Sequence, residues 1–427
     1  MERGERQEVP PSTHFEIGSD GALAVDGVSL EAIAEQHGTP THVLSAARIR
    51  DAYRSISLAI GERALVAYAM KANGNPAVLR LLAELGAGAD VVSGGELHWA
   101  LRAGMPADRI VMSGVGKTDA EIGAAIDAGI RSIHVESEPE LEVVASIAAS
   151  RGVVARIGLR INPNVDPETH PYIATGLHDT KFGLEIDVAR RLLPGIVAHR
   201  SLSLETIASH VGSQIPRAAS VGEAVAISGA FAREAMQAGA SIRSIDAGGG
   251  WPIAYGDEER VADSHAAFGA AIRAGLERAG VAELGLTIEP GRALVGDAGV
   301  LLTRVLFVKE QAGKRFVIVD AAMTELVRPA LYDAYHAVVP VRVREGIASA
   351  CDVVGPVCET GDFFALGRVL PELRRGDLIV LRGTGAYGAS MASEYNARPR
   401  AAEVMVDQSA TRVIRPRGRV EDLHPMP

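Results

Sequence analysis

The stretch that decides the fold reads ALVAYAMKANGN and covers residues 64–75. Its apolar start, with β-branched and aromatic side chains, predicts a buried strand that ends at Lys71. The small, turn-forming residues that follow predict a turn into a helix beginning near Pro76. A lysine at the mouth of a buried strand can be desolvated, which lowers its pKa and makes the amine a nucleophile that forms Schiff bases with carbonyl compounds. The alternative is a lysine that extends from the strand end into solvent, and the rest of the chain decides between the two.

Short β-rich runs alternate with helical stretches over residues 41–292. The runs are 65–69, 89–93, 109–113, 132–136, 156–161, 206–211, 244–247 and 286–289, and helical stretches between them include 76–85, 95–103, 118–128, 139–149, 188–198, 221–238 and 264–279. Alternation repeated eight times predicts an α/β fold, a closed parallel (β/α)8 barrel of the TIM type. An open doubly wound sheet is the alternative. The barrel is favoured because the strand count is right and no GxGxxG motif follows the first strand.

Chemically versatile residues lie at the carboxyl ends of these predicted strands. They are Lys71, Asp90, Arg160, His210, Gly248–Gly250 and Glu289. In a barrel these ends meet at one face, which carries the active site. The loops after strands seven and eight often bind phosphate through unhindered backbone N–H groups, and here they read GGG and EPGR. A buried Glu289 could also pair with a protonated heterocyclic nitrogen, whereas the alternatives are an ordinary turn and a surface carboxylate.

The pattern of predicted secondary structure changes after Arg292. Runs 300–308, 315–320, 352–357 and 377–382 read as strands, with glycine-rich turns and little helix between them. We therefore expect three segments: residues 1–40, which contribute strands to a β domain; residues 41–292, which form the barrel; and residues 293–427, which form a β-sandwich or barrel-like domain. A chain of 427 residues is longer than a single hydrophobic core usually supports, which agrees with this division.

Composition limits the class of partner and the compartment. A net charge of −10 argues against nucleic acid and anionic membranes as partners, but not against an anionic small molecule. Cys351 and Cys358 are the only cysteines, so no disulfide framework is implied and a reducing cytoplasm fits best. The charged N-terminus has no apolar signal-peptide core, and no apolar run approaches membrane-spanning length. We expect a soluble cytoplasmic protein.

Long gapless motifs give the chain a resemblance to a known family. They are YAMKANGN (68–75), ADVVSGGEL (89–97), SGVGKT (113–118), LRINPNVDPETHPYIATGLHDTKFG (159–183), SHVGSQI (209–215), DAGGG (246–250), EPGR (289–292), RPALYDAYH (328–336), GPVCETGD (355–362) and TGAYGASMASEYN (384–396). Over residues 38–415 the chain resembles the fold-type III pyridoxal-phosphate-dependent decarboxylases, and within them the diaminopimelate decarboxylase family. The resemblance implies the cofactor pyridoxal 5'-phosphate and the decarboxylation of meso-2,6-diaminopimelate to L-lysine and CO2, the last step of lysine biosynthesis.

The resemblance also implies a role for each matching residue. Lys71 forms the Schiff base with the cofactor beside Asp90, His210 stacks on the cofactor ring, and Glu289 keeps its nitrogen protonated. The residues implied to hold the phosphate and position the ring are Ser213, Gly248, Gly249, Gly250, Gly291, Arg292 and Tyr387. Those implied to bind the substrate are Arg292, Arg328, Tyr332, Glu359 and Tyr387. Cys358 is implied to reach the site from the second protomer of a homodimer and to protonate the substrate carbon.

The implied substrate accounts for two of these residue types. Diaminopimelate has a second amino-acid head, whose carboxylate suits the fork of Arg328 and whose ammonium suits Glu359. A structural salt bridge is the alternative for either residue. Cys358 lies in a polar, sharply turning loop, which favours the proton donor over a small buried hydrophobe, whereas Cys351 is expected to be structural.

Some positions depart from the family pattern, and other functions stay open. Thr360 stands where serine is common, the sequence THVLS (41–45) replaces a tyrosine-rich strand, and His134 stands where we expect asparagine. His170 and His178 have no assigned role, and no metal site is expected.

The alternative functions are decarboxylation of ornithine, lysine, arginine or a polyamine precursor, amino-acid racemisation, and non-catalytic carriage of the cofactor.

Overall fold

The computed structural model describes residues 14–18, 20–166, 181–256, 262–342, 344 and 347–423. His170 and His178 lie outside these residues. In the described part the strands, in chain order, are β1 (Phe15–Ile17), β2 (Leu23–Val25), β3 (Val28–Ser29), β4 (Thr41–Ser45), β5 (Ala64–Ala69), β6 (Gly88–Val91), β7 (Ile110–Met112), β8 (Ser132–Val135), β9 (Ala155–Asn162), β10 (Leu184–Glu185), β11 (Leu202–Ala208), β12 (Ser244–Asp246), β13 (Gly285–Ile288), β14 (Gly299–Gln311), β15 (Lys314–Val319), β16 (Val338–Pro340), β17 (Ser349–Val354), β18 (Phe363–Leu370), β19 (Leu378–Arg382), β20 (Ala402–Asp407) and β21 (Ala410–Arg415). The helices are α1 (Leu30–His37), α2 (Ala46–Ile60), α3 (Pro76–Glu84), α4 (Gly94–Arg102), α5 (Asp119–Ala128), α6 (Glu138–Ser150), α7 (Ile186–Ala198), α8 (Ala218–Gln237), α9 (His265–Ala279), α10 (Arg292–Val295), α11 (Arg328–Tyr332) and α12 (Val420–Leu423).

The chain divides into two compact units. The barrel unit comprises Ala52–Pro252 and Ala262–Ala293, and the β unit comprises the described parts of Met1–Asp51, Ile253–Val261 and Leu294–Pro427. None of the helices in the described ranges combines the length and apolar character needed to cross a membrane.

The barrel unit contains the closed parallel barrel that the sequence predicts. Strands pair in the order β5, β6, β7, β8, β9, β11, β12 and β13, and β13 pairs with β5 to close the ring. Closure excludes the open doubly wound sheet. Every predicted strand of the ring is present, with ends shifted by up to a few residues. The largest shift is in β11, which begins at Leu202 rather than at residue 206.

Local hydrogen bonds explain how the deciding stretch turns from strand to helix. The hydroxyl of Tyr68 on β5 donates to the Asn73 carbonyl at 2.9 Å, and the Asn73 side chain accepts the N–H of Asn75 at 3.0 Å. Asn75 then caps α3 by accepting the N–H of Ala77, with Pro76 in the first turn, where its missing N–H costs nothing. These contacts fix the turn that presents Lys71 at the end of β5.

The β unit contains a three-stranded sheet of β1–β3 and a nine-stranded sheet. The larger sheet runs in the order β18, β17, β15, β14, β4, β20 and β21, and β19 pairs with both β14 and β16. The predicted boundary at residue 41 places Thr41–Ser45 with the barrel, but this strand lies between β14 and β20. Its partners are residues 299–302 and 402–406, so no local sequence pattern reveals the pairing. The strands before residue 40 belong to the β unit and form its separate small sheet.

Candidate active site

Lys71 and Asp90 form an ion pair at the carboxyl ends of β5 and β6. Lys71 Nζ donates to Asp90 Oδ2 at 2.9 Å. The two strands are parallel neighbours with Ala69 opposite Asp90, so both side chains emerge at the same edge. The Asp90 side chain is 1% exposed, whereas that of Lys71 is 43% exposed. Lys71 therefore differs from the desolvated amine expected from the sequence, because it stands at the open mouth of the barrel.

The charge of Lys71 governs the ionisation of Asp90. Burial raises the pKa of Asp90, but the Lys71 ammonium and its hydrogen bond outweigh this effect, so the pKa lies below its ordinary value. Asp90 is therefore an anion at neutral pH. It holds the lysine nitrogen at the barrel edge, where the sequence predicts a nucleophilic amine.

A second group of titratable side chains lies at the ends of β8, β12 and β13. His134 Nδ1 lies 3.3 Å from Ser113 Oγ and 3.7 Å from Glu289 Oε1. His134 Nε2 lies 3.9 Å from Asp246 Oδ2. Gly158 on β9 makes room for this imidazole, because a β-carbon there would lie 2.7 Å from its Cδ2 atom. The group places two carboxyls and one imidazole in the buried interior of the barrel.

Burial sets the charge of this group. It raises the pKa of Asp246 to about 7, and the Asp90 carboxylate adds to the rise. Burial, followed by the carboxylates of Asp246 and Asp90, raises the pKa of Glu289 well above its ordinary value. Burial lowers the pKa of His134 to about 3, so the imidazole is neutral and its carboxylate contacts are not ion pairs. A positive partner would therefore stabilise the ionised forms of Asp246 and Glu289, which burial disfavours.

The raised pKa of Asp246 predicts a pH-dependent gain in stability on substitution. The folded-state pKa of about 7 exceeds the ordinary value of 3.8, so between these values the folded protein keeps a proton that the unfolded chain releases. The contribution of Asp246 to stability is therefore fully present below the lower value and is lost as pH rises towards the upper one. We expect Asp246→Asn to raise the Tm of the cofactor-free protein by several degrees at about pH 8 and by less at about pH 5. Calorimetry at both pH values measures the difference, and an equal shift at both would contradict this reasoning.

The glycine loop after β12 packs tightly against two neighbouring loops. Gly248 has a φ of +66°, which glycine adopts without strain, and a β-carbon at Gly249 would overlap the carbonyl oxygen of Glu289. The N–H of Gly248 donates to Asp246 Oδ1 at 2.9 Å, and that of Gly249 donates to His210 Nδ1 at 3.0 Å. The sequence predicts that these N–H groups approach a phosphate. In the structure both donate hydrogen bonds within the protein and fix the shape of the loop.

His210 is held as a neutral ring at this edge. Its Nδ1 accepts the Gly249 N–H and therefore carries a lone pair. Burial, followed by the positive charges of Arg160 and Lys71, lowers the pKa of His210 to about 3. A flat, neutral imidazole with a fixed orientation suits the predicted role of stacking on a planar ring.

Arg292 and Ser213 place a cation and a hydroxyl beside the glycine loop. Arg292 is 6% exposed, and its Nη2 donates to Ser213 Oγ at 2.9 Å. Gly291 packs against the turn that carries Lys71, where a β-carbon would lie 3.0 Å from that of Ala72. Arg292 and Ser213 therefore offer a positive charge and a hydroxyl to an anion bound beside the EPGR motif.

A buried polar network that the sequence did not predict supports the ends of β7, β8 and β9. The side chain of Lys117 is 1% exposed, and it donates to Glu140 Oε1 at 2.6 Å and to the carbonyl of His134 at 2.7 Å. Glu136 accepts from Arg160 Nη1 at 3.0 Å. The N–H of Glu136 in turn donates to Glu140 at 2.8 Å. Buried charges that are paired and hydrogen-bonded hold their positions firmly, so this network fixes the edge on which His134 lies.

Within the β unit, α11 carries two of the predicted substrate-binding residues. Arg328 and Tyr332 begin and end this helix, four residues apart, so they project from the same face. Arg328 is 6% exposed. Ala330 on the helix packs against Gly361, where a β-carbon would lie 3.9 Å away, so the helix adjoins the loop that bears Cys358 and Glu359.

Asp362 and Asn396 hold the Cys-Glu loop. The Asp362 carboxylate accepts the N–H of Met323 at 2.6 Å and that of Val357 at 2.7 Å, and its burial raises its pKa. The N–H of Cys358 donates to Asn396 Oδ1 at 3.0 Å. Cys358 is an exposed free thiol, whereas Cys351 is buried. The loop is anchored through its backbone while the Cys358 and Glu359 side chains remain exposed.

Tyr387 is strained in a way typical of functional positions. Its φ of +58° lies in the left-handed region, which is uncommon for an aromatic residue. Such strain persists only where the surrounding structure enforces it, and it concentrates at ligand sites. This backbone conformation supports a functional role for Tyr387.

Each unit contains part of the predicted site. At the barrel edge lie Lys71, Asp90, His210, Ser213, Gly248–Gly250, Glu289, Gly291 and Arg292, and in the β unit lie Arg328, Tyr332, Cys358, Glu359 and Tyr387. Asp246 and His134 have no role predicted from the sequence. Asp246 could have been found as the first residue of the DAGGG motif, whereas His134 offered only its place near a strand end.

The barrel edge fits pyridoxal phosphate. A buried carboxyl with a strongly raised pKa gains most from a cationic partner, and the protonated ring nitrogen of the cofactor offers one to Glu289. Arg292 and Ser213 suit the phosphate, and Lys71 suits the aldehyde. His134, Asp246 and Glu289 also offer three ligand atoms within 4.8 Å of one another. A cationic ring nitrogen would give Glu289 in this triad the positive partner that its raised pKa favours.

Comparison with known proteins agrees with this chemistry. Residues 46–296 match the family model described as the pyridoxal-binding domain of pyridoxal-dependent decarboxylases. The chain is 43% identical over 398 residues to the diaminopimelate decarboxylase of Aquifex aeolicus, covering 93% of this chain and 94% of that protein. The cofactor of this family is pyridoxal phosphate.

Solved structures extend the likeness to the whole fold. The diaminopimelate decarboxylase of M. jannaschii in complex with L-lysine superposes with a TM-score of 0.91 at 36% identity and covers 96% of both chains. The Helicobacter pylori diaminopimelate decarboxylase complexed with L-lysine gives a TM-score of 0.87 at 41% identity over 92% of this chain and 98% of that one. The chain belongs to the diaminopimelate decarboxylase family of pyridoxal-dependent decarboxylases.

Proposed function

We propose that this protein decarboxylates meso-2,6-diaminopimelate to L-lysine and CO2, the last step of lysine biosynthesis. The observation that carries the proposal is the barrel edge where the Lys71–Asp90 pair and buried Glu289 meet the glycine loop, in a chain of this family. The L-lysine bound in two structural relatives is the product this reaction would give, which supports the choice of substrate.

The barrel residues would bind the cofactor. Bound pyridoxal phosphate supplies an electron sink for the electron pair that the departing carboxylate leaves on the substrate carbon. Lys71 anchors the cofactor aldehyde and Asp90 orients the amine. Glu289 would hold the ring nitrogen, and the neutral imidazole of His210 would pack on the ring. Arg292, Ser213, Gly291 and Tyr387 would hold the phosphate and position the ring. The Gly248–Gly250 loop would shape the edge beside them, because the N–H groups of Gly248 and Gly249 donate within the protein.

Residues of the β unit would recognise the head of the substrate that does not react. An arginine fork binds a carboxylate through two parallel N–H donors, which is the role of Arg328. Glu359 pairs with the distal ammonium, and Tyr332, on the same helix face as Arg328, adds a hydroxyl. Arg292 and Tyr387 complete the substrate set. Substrates without a distal carboxylate would leave Arg328 without its partner.

Cys358 would supply the proton that replaces CO2 on the substrate carbon. The thiol is exposed on a loop held by Asp362 and Asn396, and we propose that it serves the site of a second protomer in a homodimer. A free thiol in this role requires a reducing compartment, which supports a cytoplasmic location. Mixing inactive Lys71→Ala and Cys358→Ala proteins tests the sharing of sites. Random exchange should restore roughly a quarter of the activity, since half of the dimers are then mixed and each has one intact site. No recovery despite subunit exchange would contradict a shared site.

The alternative is decarboxylation of another diamino acid on the same fold. The purified protein, supplied with pyridoxal phosphate, is offered meso-diaminopimelate, L-lysine, ornithine and arginine separately, and CO2 release is compared as kcat/KM. The proposal predicts a preference for meso-diaminopimelate of about a hundredfold or more, because a charged contact built for the distal carboxylate is unmatched in the others. A preference for any of the other three would move the protein to the alternative.

A further inference from the structure

His336 lies fully buried beside Arg328 in the β unit. The two residues are eight positions apart, and Asp333, with φ of +50°, turns the chain back after α11. Arg328 Nη1 lies 2.8 Å from His336 Nε2, and His336 Nδ1 lies 2.7 Å from the carbonyl oxygen of Arg382 at the end of β19. The imidazole therefore bridges the helix of Arg328 to the sheet.

These two contacts define the form of the imidazole. A guanidinium can only donate hydrogen bonds and a carbonyl oxygen can only accept them. His336 must therefore accept at Nε2 and donate from Nδ1, which is one neutral tautomer. A protonated ring would have no lone pair for Arg328 and would place a second positive charge against it.

A Tyr255 ring completes the arrangement. The Arg328 guanidinium carbon lies 4.8 Å from the Tyr255 ring centroid, and the His336 ring meets Tyr255 edge-on with centroids 5.0 Å apart. Tyr255 is itself held by backbone, since its carbonyl accepts the N–H of Ala337 at 3.1 Å. The plane of the guanidinium is thus fixed by an aromatic face and a hydrogen bond to a neutral acceptor.

We propose that His336 is a positioning residue for substrate binding, which orients the Arg328 fork for the distal carboxylate. The inference rests on the proposed function, which gives Arg328 that carboxylate. Bidentate recognition needs the fork in one plane, and an arginine side chain has several rotatable bonds to restrain. His336, which is anchored to the sheet, restrains these bonds through its hydrogen bond to the guanidinium. Because His336 is neutral, the guanidinium keeps its full positive charge for the substrate carboxylate, whereas an acidic residue in this place would compete with that carboxylate.

The test compares two substitutions of His336 with a matched control. His336→Leu removes the acceptor, and His336→Gln keeps one. His37→Gln makes the same change at a half-buried histidine of the β unit outside the site. We expect His336→Leu to raise KM for meso-diaminopimelate and the Kd of L-lysine about tenfold, with kcat changed much less, because the distal head is bound equally throughout the reaction. His336→Gln should restore much of the affinity, and His37→Gln should match the wild type.

A double-mutant cycle with Arg328→Lys separates this inference from the proposed function. If His336 acts through Arg328, His336→Leu has little further effect on KM or Kd in the Arg328→Lys background. An equal effect in both backgrounds, or unchanged affinity in His336→Leu, overturns the inference while leaving Arg328 in its role. Unchanged affinity in Arg328→Lys itself overturns both the inference about His336 and the proposed role of Arg328. If the wild type forms no lysine, the proposed function fails and the cycle is read from the Kd of L-lysine.

Discussion

Replacing Lys71 by alanine is expected to abolish lysine formation, with a loss of about 10⁴-fold or more. The lysine is the amine at the barrel edge whose nitrogen is held by an ionised carboxylate, 2.9 Å from Asp90. In the proposed function alanine removes the covalent anchor of the cofactor, and it leaves the Asp90 carboxylate buried without its cation. The pKa of Asp90, which the ammonium holds low, should then rise, because burial acts unopposed.

Covalent retention of the cofactor provides a readout that does not depend on turnover. After borohydride reduction and denaturation, the wild type should carry the cofactor mass on the peptide that contains Lys71, whereas Lys71→Ala should carry none. Lys314→Ala is the matched control, because Lys314 also lies near a carboxylate, 3.6 Å from Asp352, but belongs to the β sheet. Activity near the wild-type level in Lys71→Ala, or cofactor on another lysine, would refute the assignment.

Glu289→Gln is expected to lower kcat by about a hundredfold or more, because it removes a preorganised charge at the point where the cofactor draws electrons. Glutamine has nearly the same shape but cannot ionise, so it cannot keep a ring nitrogen protonated. Burial and the carboxylates of Asp246 and Asp90 raise the pKa of Glu289 in the cofactor-free pocket. A cationic ring nitrogen against it offsets those effects, so the cofactor should also bind less tightly to the variant.

Two measurements distinguish this effect from a packing defect. Cofactor Kd and kcat are measured for Glu289→Gln and for Glu325→Gln, which alters another buried carboxyl whose burial raises its pKa. Glu325 accepts the N–H of Ala322 and the Thr324 hydroxyl in the β unit and has no proposed catalytic role. Equal losses in the two variants would mean that Glu289 acts only in packing.

The barrel was predictable from the sequence because its signals are local. Apolar runs, helix caps and turn residues such as those of residues 64–75 repeat around the ring, and each strand pairs mostly with a near neighbour in the chain. The position of Thr41–Ser45 was not predictable, because its partners β14 and β20 lie hundreds of residues away in sequence. This short strand is buried at every position, as a barrel strand would be.

The site was predictable where residue type alone limits the chemistry. Lys71 at a strand mouth and Glu289 at the start of EPGR, directly after the last barrel strand, suggest their chemistry through position, and the family resemblance implies the specific roles. The pKa values of Asp246 and His134 could not be foreseen, because they arise from burial among carboxyls contributed by different strands. The orientation of Arg328 likewise depends on His336 and Tyr255, whose proximity follows from the fold of the β unit.

The most direct test of the central claim is the amount of L-lysine and CO2 formed from meso-diaminopimelate by the purified protein supplied with pyridoxal phosphate. Lys71→Ala serves as the blank. We expect equal amounts of L-lysine and CO2 from the wild type and neither product from the blank. CO2 from another diamino acid, with no lysine from meso-diaminopimelate, would contradict the substrate assigned here, and no CO2 from any diamino acid despite bound cofactor would contradict the enzyme activity itself.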